Sequence, residues 1–296
     1  MNIKKKSAPF RGVGTALITP FRDGEMDRDT LRTLVKRQYH GKVDALIVCG
    51  TTGESVTMTK AEKAAALDTV LSECGDKLPI VMGTGSADTR KAVRASREAE
   101  KQGADALLVV TPYYNKGTRE GLLRHYLSIA EAVDLPLILY NVPGRTGVDL
   151  GLDILEKLAE HENIVAIKEA SGNINRCADI VATLGDALPL YSGNDAEILP
   201  TLSVGGIGII SVISNLLPSE IRSLVSLYEE GRVREATTLS VRLLPLIRLL
   251  FAETNPAPIK AAMAAAGLIS PEIRLPLTMP EGALLERIRK ETESWI

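Results

Sequence analysis

The sequence predicts a (β/α)8 barrel with a carboxy-terminal helical extension. Eight short apolar runs recur at intervals of roughly 20 to 35 residues, the length of one strand–helix unit. Amphipathic segments fill the gaps between them, and this alternation is typical of α/β proteins with parallel sheets. No glycine fingerprint follows the first run, although doubly wound sheets often carry one there. A doubly wound sheet is therefore the less favoured alternative.

The predicted strands are short, apolar and bounded by turn residues. They cover residues 14–19, 45–49, 80–82, 106–110, 137–140, 164–168, 190–192 and 207–212. Active sites of such barrels lie at the carboxyl ends of the strands. The residues that follow each run are therefore the candidates for function.

Helix signals lie between the strands and continue beyond the last one. Thr59 and Glu62 have the spacing of a capping box, which opens a helix. After Gly231 the pattern is only helical, over residues 233–251, 257–266 and 281–292. We therefore divide the chain into a (β/α)8 barrel over residues 1–231 and a helical region over residues 232–296.

Composition excludes several classes of function. The 296 residues carry a formal net charge of −2, which offers no basic surface for a nucleic-acid partner. No apolar stretch reaches about 18 residues, and the amino terminus lacks the apolar core of a secretory signal. We expect no membrane partner and a cytoplasmic location.

Neither the cysteines nor the histidines suggest a metal site. The three cysteines are widely spaced and contain no C-x-x-C pair, which argues against a disulfide framework or a zinc site. The three histidines are scattered along helical segments, and we expect them on the surface: His40, His125 and His161.

Lys168 ends the most informative run, because the strand before it should be buried whereas an ammonium group should not. Burial of a lysine lowers the pKa of its amino group, and the neutral amine can attack a carbonyl. Alternation along the strand places Lys168 on the face of Ala166, a small residue that leaves the amine room. This layout suits a Schiff-base lysine. The ordinary alternative is a strand-end lysine that extends to water.

Two other strand ends carry candidate groups. Residues 50–55 form a glycine-containing turn whose hydroxyls and backbone N–H groups suit a small carboxylate. Tyr140 shares a face with Ile138, one strand from Lys168, where a phenol can carry protons. Arg145 follows a Pro-Gly turn and could bind a carboxylate in bidentate fashion. The ordinary alternatives are a structural loop, a packing tyrosine and a surface arginine.

Seven strings together resemble the dihydrodipicolinate synthase branch of the pyruvate-dependent Schiff-base aldolase family. They occur in the family's order and spacing over nearly the whole chain, at residues 50–55, 111–115, 140–146, 167–173, 192–195, 205–215 and 251–260. One departure is Asn194, where many members of the family have aspartate.

The resemblance implies a mechanism without a cofactor or a metal. Lys168 would form an imine with pyruvate. Tyr140, Thr51 and Tyr114 would form a proton relay, with Tyr114 reaching in from a neighbouring subunit. The family is usually a homotetramer built from tight dimers, so a homotetramer is expected here.

The resemblance also implies the substrate contacts. Thr52 would hold the carboxylate of pyruvate, and Arg145 that of the second substrate, L-aspartate 4-semialdehyde. The backbone at Gly193 and Ile210 would line the pocket. The product would be 4-hydroxy-tetrahydrodipicolinate, a precursor of diaminopimelate and lysine. The alternatives are N-acetylneuraminate lyase, a 2-keto-3-deoxy sugar acid aldolase and a non-catalytic keto-acid sensor.

Inhibition by lysine is not expected. Members that lysine inhibits bind it at the dimer interface through histidines, a glutamate and an asparagine. The residues at the matching positions are Lys60, Lys63, Lys91 and Ala87. Lys91 in place of the glutamate would put like charges together at this interface.

Overall fold

The computed structural model of the chain describes residues 6–296. Its eight barrel strands form a closed barrel in which strands consecutive in the chain are neighbours, and this confirms the predicted fold class. The strands are β1 (Gly12–Ala16), β2 (Ala45–Val48), β3 (Ile80–Gly83), β4 (Ala106–Val110), β5 (Leu137–Asn141), β6 (Ile164–Glu169), β7 (Leu190–Ser192) and β8 (Gly208–Ser211).

Helices follow the strands and continue after β8. They are α1 (Arg28–His40), α2 (Lys60–Cys74), α3 (Thr89–Gln102), α4 (Arg119–Ala130), α5 (Pro143–Thr146), α6 (Leu152–Ala159), α7 (Ile174–Leu184), α8 (Ile198–Ser203), α9 (Pro218–Glu229), α10 (Val233–Leu250), α11 (Ala257–Ala265) and α12 (Gly282–Glu293). The capping box predicted before α2 is present, with Thr59 and Glu62 each accepting from the backbone N–H of the other.

The first predicted strand is wrong at both ends. The ladder of β1 runs from Gly12 to Ala16, whereas the apolar pattern suggested residues 14–19. Residues 17–19 are buried, but the N–H of Ile18 donates to the side-chain oxygen of Asn215 and not to a strand. Burial explains the apolar pattern, and the side-chain partner explains why the ladder stops.

Two compact units can be described separately. One contains residues 6–11 and 79–210, with the strands β3 to β7 and most of β8, and the other contains residues 12–78 and 211–296. The helices α10, α11 and α12 lie in the second unit, as do β1 and β2. The domain boundary at Gly231 stays a prediction.

The expectation for the histidines is wrong for His125. Its ring is buried beside Tyr126, and Nδ1 lies 2.9 Å from Oγ1 of Thr89. Burial lowers the pKa of His125 to about 4. His125 lies on the face of α4 that is turned toward the core, and the expectation of a surface position did not consider this face. Among the helices of the described residues, none is long and apolar enough to cross a membrane.

Candidate active site

Lys168 and Tyr140 face each other at the carboxyl ends of two neighbouring strands. The parallel register pairs Tyr140 of β5 with Lys168 of β6, so their side chains share a face. The Nζ atom of Lys168 lies 4.2 Å from the centroid of the Tyr140 ring. Lys168 is 5% exposed and Tyr140 is 6% exposed. The amine predicted at a buried strand end is therefore buried and next to the predicted phenol.

Gly193 allows the chain after β7 to approach Lys168 closely. A Cβ atom at position 193 would lie 3.1 Å from Cε of Lys168 and 2.5 Å from Cβ of Ala170. Any side chain at this position would therefore push the strand end that carries the amine. The neighbouring Asn194 donates through Nδ2 to Glu197 at 2.9 Å, a bond that an aspartate at this position could not donate.

A buried carboxylate network lies behind this pair, and sequence reasoning missed it. Glu169 is 1% exposed, and Oε2 accepts from Nε of Arg176 at 2.8 Å and from Nδ2 of Asn141 at 2.9 Å. Asn141 and Glu169 follow Tyr140 and Lys168 directly and are paired in the same register. The network thus joins the ends of β5 and β6. The sequence feature that could have revealed this network is a charged residue, Glu169, at the end of an apolar strand.

The loop after β5 carries Arg145 on the short helix α5, where its side chain is exposed. The same network fixes the far end of this loop. The N–H of Leu150 donates to Oδ1 of Asn141 at 3.1 Å, and Arg176 donates to the carbonyl oxygen of Leu150. An exposed guanidinium on an anchored loop can meet an anion that arrives from solvent.

Tyr114 is placed differently from the other candidates. It is 89% exposed and has a φ of 77°, so its backbone is in the left-handed region. A side chain this exposed is not packed against the Tyr140 and Lys168 pair of its own chain. Ile210 of β8 is fully buried.

Thr51 and Thr52 lie in the second unit, in the turn between β2 and α2. Backbone bonds close this turn, with Gly53 donating to Gly50 at 3.2 Å and Glu54 donating to Thr51 at 3.1 Å. Thr52 is 3% exposed and its Oγ1 accepts from Nδ2 of Asn255 at 3.0 Å. Sequence reasoning assigned no role to Asn255.

A buried ion pair anchors the end of the same turn. Glu54 and Lys260 of α11 form a salt bridge whose side chains are 2% and 0% exposed. Nζ of Lys260 also donates to the carbonyl oxygen of Glu272 at 2.9 Å and lies 4.4 Å from the centroid of the Phe21 ring. Desolvation lowers the pKa of Lys260, and the carboxylate of Glu54 acts in the opposite direction.

Arg274 extends this anchor to α2. Its backbone N–H donates to Oε2 of Glu54 at 2.9 Å, and its guanidinium donates to both carboxylate oxygens of Glu62, at 3.0 and 2.5 Å. The hydrogen bonds from Arg274 lower the pKa of Glu62 to about 2. The carboxy-terminal residues therefore hold the turn that carries Thr51 and Thr52.

The residues brought together support carbonyl chemistry. A buried amine beside a phenol can add to a carbonyl and exchange protons with it. Within residues 6–296, no group of three or more histidine, cysteine, aspartate or glutamate side chains could hold a metal ion.

Comparisons with known proteins agree with this chemistry. A family model described as the dihydrodipicolinate synthetase family matches residues 9–293. The 4-hydroxy-tetrahydrodipicolinate synthase of Syntrophobacter fumaroxidans is 44% identical over 287 residues, which cover 97% of this chain and 99% of the relative.

Solved structures show the same fold. The dihydrodipicolinate synthase of Thermotoga maritima has a TM-score of 0.95 at 40% identity. The alignment covers 97% of this chain and 99% of the chain in that structure. A structure described as the first monomeric dihydrodipicolinate synthase variant has a TM-score of 0.94 at 41% identity, with coverages of 96% and 97%.

Proposed function

Because this chain belongs to the dihydrodipicolinate synthetase family, we propose that it condenses pyruvate with L-aspartate 4-semialdehyde through a Schiff base on Lys168. The product is 4-hydroxy-tetrahydrodipicolinate, the cyclic precursor of diaminopimelate and lysine. The observation that carries this proposal is the buried Lys168 amine at a barrel strand end, 4.2 Å from the centre of the Tyr140 ring. The chain is thus a lyase of the Schiff-base class.

The reaction begins with the amine and the ketone of pyruvate. The neutral amine adds to the carbonyl carbon, and loss of one water gives the imine. Loss of a methyl proton then gives an enamine, whose carbon attacks the aldehyde carbon of the second substrate. The amino group of that substrate finally attacks the imine carbon, which closes the ring and releases Lys168. Each step moves a proton, so the site needs an acid–base group.

Tyr140, Thr51 and Tyr114 are proposed to carry these protons. The position of Tyr140 beside Lys168 supports its role as the group that exchanges protons with the carbinolamine and the imine. The high exposure of Tyr114 supports a contribution to the site of a neighbouring subunit. Thr51 would connect the two phenols.

The substrate carboxylates are assigned to two separate groups. Thr52 is proposed to hold the carboxylate of pyruvate through its hydroxyl. Arg145, exposed on its anchored loop, is proposed to bind the carboxylate of the aldehyde. Gly193 and Ile210 would line the pocket through their backbone, and the close approach of Gly193 to Lys168 supports this.

A homotetramer built from two dimers is the proposed assembly, because Tyr114 needs a neighbouring subunit to act in the relay. A related structure is described as a monomeric variant, so the assembly has to be measured. The three cysteines are buried and free, which fits a reducing cytoplasm: Cys49, Cys74 and Cys177.

The proposal is tested by trapping the imine. Treatment with pyruvate and borohydride should add one pyruvate-derived group per chain, located by mass spectrometry on the peptide that contains Lys168. An adduct on another peptide, or no adduct, would overturn the Schiff-base assignment.

Product formation separates the proposed condensation from the reactions of other pyruvate-dependent aldolases. Pyruvate with L-aspartate 4-semialdehyde should give turnover in a coupled assay, whereas N-acetylneuraminate and 2-keto-3-deoxy sugar acids should not be cleaved. Imine formation without any turnover would instead identify a keto-acid sensor.

A further inference from the structure

Asn255 lies two residues before the start of α11 and contacts the turn that carries Thr52. The asparagine is 6% exposed, and its Nδ2 donates to Oγ1 of Thr52 at 3.0 Å. The two residues are 203 positions apart in the chain. Neither the carbonyl chemistry on Lys168 nor the carboxylate contact of Arg145 uses this amide.

The direction of this bond determines what the hydroxyl of Thr52 can do. A threonine hydroxyl has one hydrogen to donate and two lone pairs that accept. The amide of Asn255 occupies one lone pair, so the hydroxyl hydrogen stays available for another acceptor. Within residues 6–296, Oγ1 of Thr52 donates to no acceptor of the chain. A substrate carboxylate is an acceptor of the required kind.

Two interactions of Lys260 connect the start of α11 to the turn that contains Thr52. The backbone N–H of Lys260 donates to the carbonyl oxygen of Pro256 at 3.0 Å, in the first turn of α11. The side chain of Lys260 pairs with Glu54, two residues after Thr52. The buried ion pair therefore joins the helix that follows Asn255 to the turn that contains Thr52.

We propose that Asn255 is a positioning residue that directs the hydroxyl hydrogen of Thr52 toward the carboxylate of the keto acid. It acts through Thr52 and does not itself touch the substrate. The inference rests on the proposed function, because that proposal assigns the pyruvate carboxylate to Thr52.

Two variants test the direction of the bond. Asn255→Ala removes the donor, and Asn255→Asp replaces it with an acceptor that competes for the hydroxyl hydrogen. The pyruvate concentration that half-saturates borohydride trapping should rise about tenfold for Asn255→Ala. It should rise about a hundredfold for Asn255→Asp, since the added carboxylate also repels the substrate. The turnover number at saturating pyruvate should change less than this concentration does.

A double-mutant cycle tests whether Asn255 acts through Thr52. Thr52→Val should raise the half-saturating concentration of pyruvate by at least as much as Asn255→Ala. Adding Asn255→Ala to Thr52→Val should then have little further effect, because the hydroxyl is already absent. Fully additive effects of the two substitutions would overturn the proposal.

Asn163→Ala is the matched control. Asn163 precedes β6 at its amino-terminal end, and its Nδ2 donates to the carbonyl oxygens of Ala130 and Val133 at 3.1 and 2.8 Å. Its loss should lower the thermal unfolding temperature and leave the half-saturating pyruvate concentration unchanged. Asn255 variants that behave in the same way would show that the amide is only structural.

The outcomes separate this inference from the proposed function. Absence of trapping in the wild-type protein would mean that the Schiff-base proposal fails. Normal trapping in the wild type, with the same pyruvate dependence in both Asn255 variants, would overturn only the inference about Asn255.

Discussion

Two buried lysines of this protein have similar surroundings and different partners. The amine of Lys168 lies 4.2 Å from the centre of the Tyr140 ring, and that of Lys260 lies 4.4 Å from the centre of the Phe21 ring. Lys260 forms an ion pair with Glu54 and donates to the carbonyl oxygen of Glu272. Lys168, in contrast, has neither a hydrogen-bond acceptor nor a carboxylate partner within residues 6–296.

The difference indicates that the partners of a buried lysine, and not burial alone, suit it for covalent chemistry. A carboxylate partner favours the ammonium form, which cannot attack a ketone. Lys260 is also fully inaccessible, whereas Lys168 keeps 5% of its surface exposed. Lys260 is therefore suited to stabilising a turn, and Lys168 to reacting with a small carbonyl compound.

Replacing the two lysines gives the largest effects expected, beginning with Lys168. Lys168→Arg keeps a long basic side chain beside Tyr140 but removes the nucleophile, so turnover should fall by about three orders of magnitude or more. Borohydride trapping should disappear, while the urea unfolding midpoint should stay close to that of the wild type. Residual trapping on another peptide of this variant would contradict the distinction between the two lysines.

Lys260→Met should act on stability. Removing one partner of a buried ion pair leaves the carboxylate of Glu54 uncompensated and should cost about 3 to 5 kcal/mol in the free energy of unfolding. The double variant Glu54→Gln with Lys260→Met should recover most of this loss, as measured by urea unfolding. Equal instability of the single and double variants would argue against the pair as the cause. In the folded wild type, Lys260 should carry no borohydride adduct.

Arg145 extends the comparison to an exposed cation. Losing a charge-assisted bidentate contact costs about 1.5 to 3 kcal/mol per hydrogen-bonded group, so Arg145→Ala should raise the half-saturating aldehyde concentration by about one to three orders of magnitude. Imine formation with pyruvate should persist, and Arg145→Lys should recover only part of the loss. Loss of trapping with normal aldehyde use would mean that the two roles were assigned to the wrong residues.

The pair of Glu62 and Arg274 predicts a moderate dependence of stability on pH. The hydrogen bonds from Arg274 lower the pKa of Glu62 from 4.5 to about 2. The contribution of Glu62 to the free energy of unfolding is therefore complete above about pH 4.5 and is lost as the pH falls toward 2. Between pH 4.5 and 2, the free energy of unfolding of the wild type should fall by about 2 kcal/mol more than that of Glu62→Gln, after allowance for partial exposure. Urea unfolding at pH 7, 4.5 and 3 measures the difference, and parallel curves would contradict it.

Lysine as an added ligand should have the smallest effect. Lys60 begins α2 and Lys91 lies in the first turn of α3, and both are exposed. Millimolar L-lysine at saturating pyruvate should therefore leave turnover nearly unchanged, because the effector's ammonium meets further cations. Half-maximal inhibition below one millimolar would show that lysine binds through other groups.

Much of the fold could be predicted from local patterns. Seven of the eight strands begin within one residue of the predicted position, because each is a buried apolar run between turn residues. The exception, β1, shows the limit of this approach. Burial continued past its ladder to Thr19, and a pattern of apolar residues records burial and not hydrogen bonding.

The candidate site was predictable to the extent that it follows strand ends. Lys168 and Tyr140 could be paired because parallel neighbours in register share a face. Glu169 was not recognised, because a charged residue at the end of an apolar strand does not by itself show which partners will surround it. Its burial depends on Arg176 and Asn141, which only the folded chain places around it.

The sequence by itself determined the barrel, the buried position of Lys168 and the small polar turn at residues 50–55. These features depend on residues close together in the chain, whose periodicity and turn chemistry can be read directly. Only the tertiary structure decided that Asn255 donates to Thr52 and that Lys260 pairs with Glu54. Such partners are separated by about two hundred residues, and a buried polar group is satisfied by whichever partner the completed fold brings within hydrogen-bonding distance.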